Sequence, residues 1–175
     1  MARDARPAEG SPGLIRHGWR LLGHPLFLDQ FGRLRAAVER ARRADPQGWR
    51  GKADAKLLAM IRALVLDRIP RNPLEPEFRQ GNTLGPAHRH WFRAKFGGAR
   101  FRLFFRADSR ARVIVLAWVN DRDTLRKAGS STDPYAVFAA MLAAGNPPNN
   151  WTALLAEAEA PEAVQGLRAV EDEEG

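Results

Sequence analysis

The sequence predicts an α+β domain: a small antiparallel sheet of about four strands backed by helices on one face. Three observations predict it. Apolar residues recur at helical spacing between residues 26 and 69, they alternate at strand spacing between 91 and 106, and they run uninterrupted in VIVLAWV at 113–119. Strands followed by helices, without a repeating strand-helix unit, fit layered α+β architecture better than a doubly wound sheet.

Taken in order, Leu14 to Gly23 is expected to form a first strand that ends before the His24-Pro25 pair. From Leu26 to Ala44, Phe27, Phe31, Leu34, Val38 and Ala41 share one helical face, with Arg33, Arg40 and Arg43 on others. The Asp45-Pro46-Gln47-Gly48 cluster breaks that helix. A second is expected from about Arg50 to Ile69, with Leu57, Ile61 and Leu64 inward, and Pro70 stops it. Residues 70–90, rich in Pro, Gly and Asn, read as a loop with a short strand. After a hairpin over 91–106, the strand Arg112 to Val119 is apolar on both sides and belongs at the centre of the sheet. A helix from about Pro134 to Ala144 uses Tyr135, Phe138 and Leu142, GNPPNN ends it, and Trp151 begins a last helix.

The hairpin WFRAKFGGARFRLFFR carries the chemistry. Side chains alternate faces along a strand, so Phe92, Ala94 and Phe96 oppose Trp91, Arg93 and Lys95. Beyond the Gly97-Gly98 turn, Phe101, Leu103 and Phe105 oppose Arg100, Arg102 and Arg106, with Phe104 among the arginines. This basic face is expected to stay open. Like charges on neighbouring strands repel by about 0.2 to 1 kcal/mol per facing pair. Five cations without an acid among them therefore suggest an absent anion, with nucleic-acid phosphate as the candidate.

Composition agrees. The formal net charge is +8, and residues from Ala156 onward hold seven acids against one arginine, leaving +14 on residues 1–155 and −6 on the tail. A polycationic body favours a polyanionic partner. Residues 1–13 are expected to be a disordered extension, 14–155 the functional domain, and 156–175 a solvated acidic tail that masks the basic face only as a secondary reading. There is no cysteine, which removes thiolate chemistry and suits a cytoplasmic location. No segment approaches the roughly 20 apolar residues of a membrane span, so no membrane partner is expected.

His88 and His90 alternate onto one side, but a metal site needs three or four ligands and acids are scarce nearby. No metal and no other cofactor is expected. Neither a phosphate-binding Gly-rich loop nor a Ser-His-Asp order is present. What remains is phosphodiester cleavage in which the RNA supplies its own 2′-hydroxyl, arginines bind phosphate in two-point fashion, and Lys95, surrounded by Arg93, Arg100 and Arg102, handles a proton.

Several phrases together resemble YhaV-type toxins, a branch of the RelE superfamily of toxin-antitoxin ribonucleases: WRLLGHPLF (19–27), KADAKLLA (52–59), NPLEPEFRQGNTLG (72–85), RAKFGGARFRLFFR (93–106), WVNDRDTLRKAGSSTDPYAVFAAML (118–142) and GNPPNNW (145–151). The resemblance implies a RelE-like fold and a metal-independent endoribonuclease that cleaves mRNA, on or off the ribosome. It also implies neutralisation by a PrlF-like swapped-hairpin antitoxin, with DNA contacted only through that partner. Carried over by motif, Arg93, Lys95, Arg102 and Arg126 become the catalytic candidates. Arg100, Arg106 and Arg122 become RNA-binding candidates, with Arg122 also the alternative to Arg126, while His88 and His90, outside the matching phrases, are RNA-binding candidates by position and a reserve acid-base group. Many RelE-like enzymes use a tyrosine near the end of the domain, whereas Tyr135 falls within an expected helix and is read as packing. Two rival readings are a ParE-like toxin that inhibits gyrase by binding and an RNA-binding module without turnover.

Overall fold

The computed structural model describes residues 13–172, so the extension expected at the N-terminus lies almost wholly outside the described residues. The single strand expected from Leu14 to Gly23 is instead a tight hairpin, β1 (Leu14–Arg16) and β2 (Trp19–Gly23). His17 and Gly18 turn it with φ of 50° and 78°, values that glycine adopts without a Cβ clash.

His24 then caps α1 (Pro25–Ala44), its Nδ1 accepting from the Leu26 N–H at 3.2 Å, and Pro25 sits where a missing N–H costs nothing. The second helix, α2 (Ala53–Ala63), runs on through a π-turn at Leu64–Arg68 into the short α3 (Ile69–Arg71), which carries Pro70. Residues 76–78 and 86–88 form 3-10 turns in the expected loop, and its only ladder contact is a bridge between Arg79 and Phe92.

The sheet is completed by β3 (Phe92–Phe96), β4 (Phe101–Asp108) and β5 (Val113–Val119), in the order β1-β2-β5-β4-β3. It has five strands and is mixed. The β2–β5 pair is parallel while the other three pairs are antiparallel. As expected, β5 lies inside the sheet with every residue buried.

The expectation of an open basic face fails. One sheet face packs Phe27, Phe31, Leu58 and Ile61 against Leu103, Phe105, Ile114 and Leu116. The other is also covered, because α4 (Pro134–Ala143) and α5 (Trp151–Ala158) bury Tyr135, Phe138 and Leu154 against Trp91, Phe104, Val115 and Trp118. A register shift at Phe104/Phe105, where Phe104 opposes Trp118 and Phe105 opposes Leu116, puts both Ala117 and Trp118 in this second core.

The acidic tail is likewise not simply solvated. It contributes α6 (Pro161–Arg168), whose Ala163, Val164 and Leu167 are buried together with Val170. Three of its acids meet the β1–β2 hairpin and the residue after it: Glu171 meets Arg16 at 2.8 Å, Glu159 meets Arg20 at 3.6 Å, and Glu157 of α5 meets His24 at 3.3 Å. The domain therefore extends past residue 155, and those acids engage Arg16, Arg20 and His24 rather than Arg93, Lys95 and Arg102. Leu167→Ala, at a fully buried position, is expected to cost about 2 to 5 kcal/mol, read as a fall in chemical-denaturation stability. A solvated tail would leave stability unchanged. Among the described residues, no helix is long and apolar enough to cross a membrane.

Candidate nucleic-acid site

The hairpin and the segment after β5 assemble a cluster of arginines around one tyrosine. Arg93 and Arg102 occupy one face of β3 and β4, and both are buried, at 9% and 4% exposure. Each donates its Nε–H to the Tyr135 hydroxyl, at 2.8 Å and 3.2 Å. Arg126 approaches from the loop after β5 with its guanidinium 5.0 Å above the Tyr135 ring, and that of Arg102 lies 5.7 Å from the same ring. Three cations thus surround one aromatic side chain.

A short hydrogen-bonded frame holds them. Asp133 caps α4 by accepting from the Tyr135 N–H at 3.2 Å, and its other oxygen accepts from Arg126 Nη1 at 2.5 Å and the Lys127 N–H at 2.7 Å. Arg93 Nη1 reaches the Glu77 carbonyl at 2.6 Å. Arg102 Nη1 reaches the carbonyl of Ala99 at 2.5 Å, a non-glycine residue held at φ 63° in the hairpin turn. Asn120, at the end of β5, accepts from the Arg102 N–H at 2.6 Å and donates to the carbonyls of Arg100 and Thr124. That side chain locks the 120–126 segment, and with it Arg126, onto β4.

Two clefts border the cluster, one through Arg126 and Tyr135 and one through Arg93, and Arg102 lines neither. One, about 580 Å³, is lined by Arg126, Asp133 and Tyr135 with Leu84, Ser130 and Ala139. The other, about 370 Å³, lies between Arg93, Lys95 and residues 76–79. Lys95 is exposed and sits opposite Arg102 in the β3–β4 register. Among the described residues, Asp133 is the only carboxylate bonded within the cluster, so an anionic ligand has unneutralised guanidinium charge to meet.

The remaining candidates divide. Arg100 is exposed beside the turn, bonded only weakly to the Gly97 carbonyl at 3.5 Å. Arg122 is drawn away from the cluster to Asp54 of α2, at 2.7 Å. Its place as the alternative to Arg126 is therefore not supported, because the 3-10 turn at Arg122–Thr124 directs it to the opposite sheet face.

His88, His90 and Arg106 form a second cluster. His88 Nδ1 and His90 Nε2 each lie 3.0 Å from Asn149 Oδ1, the Trp91 indole N–H donates to the same oxygen at 2.9 Å, and Arg106 Nη1 donates to the Asn149 carbonyl at 2.8 Å. The Arg106 guanidinium is flanked by Trp91 and Trp151, 5.4 Å from each ring. Burial pulls its pKa down to about 10. His90 is held below its usual 6.5 by burial first and then by the charge of Arg106.

His24 is lowered as well, through burial, with Glu157 opposing the shift. A lowered histidine means the unfolded chain binds protons more readily than the folded one. The stability these two residues contribute is therefore complete above pH 6.5 and lost as pH falls toward each folded pKa. The midpoint of denaturant unfolding should drop from pH 7 to about pH 5, and His24→Gln should flatten that slope. A midpoint unchanged across this window would contradict the assignment.

Reasoning from sequence missed Tyr135 as the cluster's centre, and with it Asp133, Asn120 and Asn149. Two signals were available. DPY at 133–135 is a helix start with an acidic cap, and GNPPNN ends in the asparagine pair Asn149-Asn150 just before Trp151.

Residues 21–159 match the family model for YhaV toxins, described as a toxin with endonuclease activity, of a toxin-antitoxin system. The chain is similar to Toxin YhaV of Escherichia coli O6:H1 (strain CFT073), with 43% identity over 144 residues that cover 82% of this chain and 94% of the relative. The same identity and coverage hold for Ribonuclease toxin YhaV of Escherichia coli K12. No solved structure matches.

Proposed function

Because the chain belongs to the family of YhaV toxins, toxins with endonuclease activity in toxin-antitoxin systems, we propose that the arginines around Tyr135 are its catalytic centre and that RNA is what it cuts. The observation that carries this reading is the convergence of Arg93 and Arg102 on the Tyr135 hydroxyl with Arg126 above the ring. Guanidinium groups fixed before the substrate arrives stabilise charge that develops on phosphorus without having to reorganise.

In the proposed step the substrate's own 2′-oxygen attacks the adjacent phosphorus. A new 2′-O–P bond forms while the P–O5′ bond breaks, leaving a 2′,3′-cyclic phosphate and a 5′-hydroxyl. Arg93, Arg102 and Arg126 carry the phosphorane charge, Lys95 in its neutral amine form accepts the 2′-hydroxyl proton and becomes an ammonium, and a second donor must protonate the departing 5′-oxygen. Tyr135 suits that role. Its oxygen already accepts two N–H groups, so its own O–H is directed elsewhere. No resident metal enters this scheme, because the guanidinium groups neutralise the phosphate. Arg100 steers the RNA backbone toward the cluster.

An antitoxin partner follows from membership of a toxin-antitoxin system. A PrlF-like swapped-hairpin protein, as the sequence phrases suggest, is the form we propose for it, acting in the cytoplasm. The test is incubation of pure protein with RNA in EDTA. Cleavage is expected to persist and to leave a cyclic phosphate, and a strand with 2′-deoxyribose at the cut site should survive. Strict dependence on magnesium, or gyrase inhibition with RNA left intact, would overturn the proposal.

A further inference from the structure

The hydrogen-bond chemistry around Asn149 fixes which ring nitrogen of each neighbouring histidine carries a proton. An indole N–H can only donate, so the atom of Asn149 that it meets must be the amide oxygen. That oxygen has no proton to give, and each histidine nitrogen facing it must therefore carry one: Nδ1 of His88 and Nε2 of His90. In a neutral imidazole bonded this way the opposite ring nitrogen, Nε2 of His88 or Nδ1 of His90, is the acceptor. The neighbouring charge is Arg106, held between Trp91 and Trp151, and among the described residues no carboxylate is bonded within this group. Burial and the Arg106 charge both keep His90 neutral.

The cluster therefore sets two imidazole acceptor positions beside a cation, a pairing that a phosphate alone does not match. A ligand that suits it presents an N–H donor next to an acceptor, and the amino-bearing edge of a nucleobase does so. Its position also fits. Trp91 and Arg93 are two residues apart and their side chains lie on the same sheet face, about 6.6 Å along the strand, so RNA at the arginine cluster passes the histidines. We infer that His88, His90 and Arg106, fixed by Asn149, form a subsite that reads an amino-bearing base next to the scissile phosphate. This rests on the reading of the protein as an RNA-cleaving toxin and names a specificity determinant of that same site.

The experiment removes the amino group rather than the protein group. Wild-type protein is given RNAs in which inosine replaces guanosine, or purine riboside replaces adenosine, at each position flanking the cut in turn. At one position the loss should lower kcat/KM about tenfold, and in His88→Leu the same substrate pair should differ by less than about twofold. Melting temperature establishes that the variant is folded. If it is not, His90→Leu replaces it, and the wild-type analogue series stands without either. Cleavage of all RNAs by wild type with no position sensitive to the amino group would overturn the subsite while leaving the nuclease reading intact. A sensitive position that stays equally sensitive in both folded variants would assign the discrimination elsewhere. Absence of any RNA cleavage would instead count against the functional reading itself.

Discussion

Arg102→Ala is expected to slow single-turnover cleavage of RNA by about 100- to 1000-fold, the usual loss when one preorganised donor to a developing oxyanion is removed. The side chain is nearly inaccessible, at 4% exposure, so the substitution touches the fold too. It deprives the Ala99 carbonyl and the Tyr135 hydroxyl of a donor, and a buried polar group left unpaired costs about 1 to 3 kcal/mol. Removing one of three neighbouring cations offsets part of that loss. The variant should therefore fold, melt somewhat lower, and be nearly inactive well below its melting temperature. Restored activity on cooling would show that Arg102 acts on stability alone.

Phe104→Ala is expected to be strongly destabilising, at about 3 to 5 kcal/mol. Phe104 is fully buried, with ring centroids 4.3 Å from Phe138, 6.0 Å from Trp118 and 5.7 Å from Tyr135. The last contact is edge-on and supports the ring on which the arginines converge. A truncated Phe104 thus loosens core and cluster together, and activity should fall in step with the unfolded fraction in a denaturant titration. A loss below about 1 kcal/mol would mean that α4 does not hold the second sheet face as described.

The alternation in 91–106 correctly divides the hairpin residues between two faces, yet it cannot say what covers either one. The sign of cover lies in β5, where an apolar run on both faces already requires two cores. Charge obscured a second element. The acids of residues 156–175 suggested solvent, while Ala163, Val164, Leu167 and Val170 repeat at helical spacing and pack inward. At the site, the motif-based choice of Arg93, Arg102 and Arg126 names side chains that the fold brings together. Tyr135 was read as packing, which is half right: its ring is buried against Phe104, but its hydroxyl meets two guanidinium groups. Helical periodicity places a residue on the inner face and carries no information about where its polar end points.

The arginine cluster as the place where RNA phosphate binds is tested most directly by following arginine Nε–H resonances in protein labelled with ¹⁵N-arginine. The titrant is an uncleavable RNA carrying 2′-deoxyribose at the cut site. Saturable, concerted shifts of Arg93, Arg102 and Arg126, with Arg122 unmoved beside Asp54, are the predicted result. Shifts confined to Arg33, Arg40, Arg43 and Arg50, with the three arginines around Tyr135 silent, would contradict it.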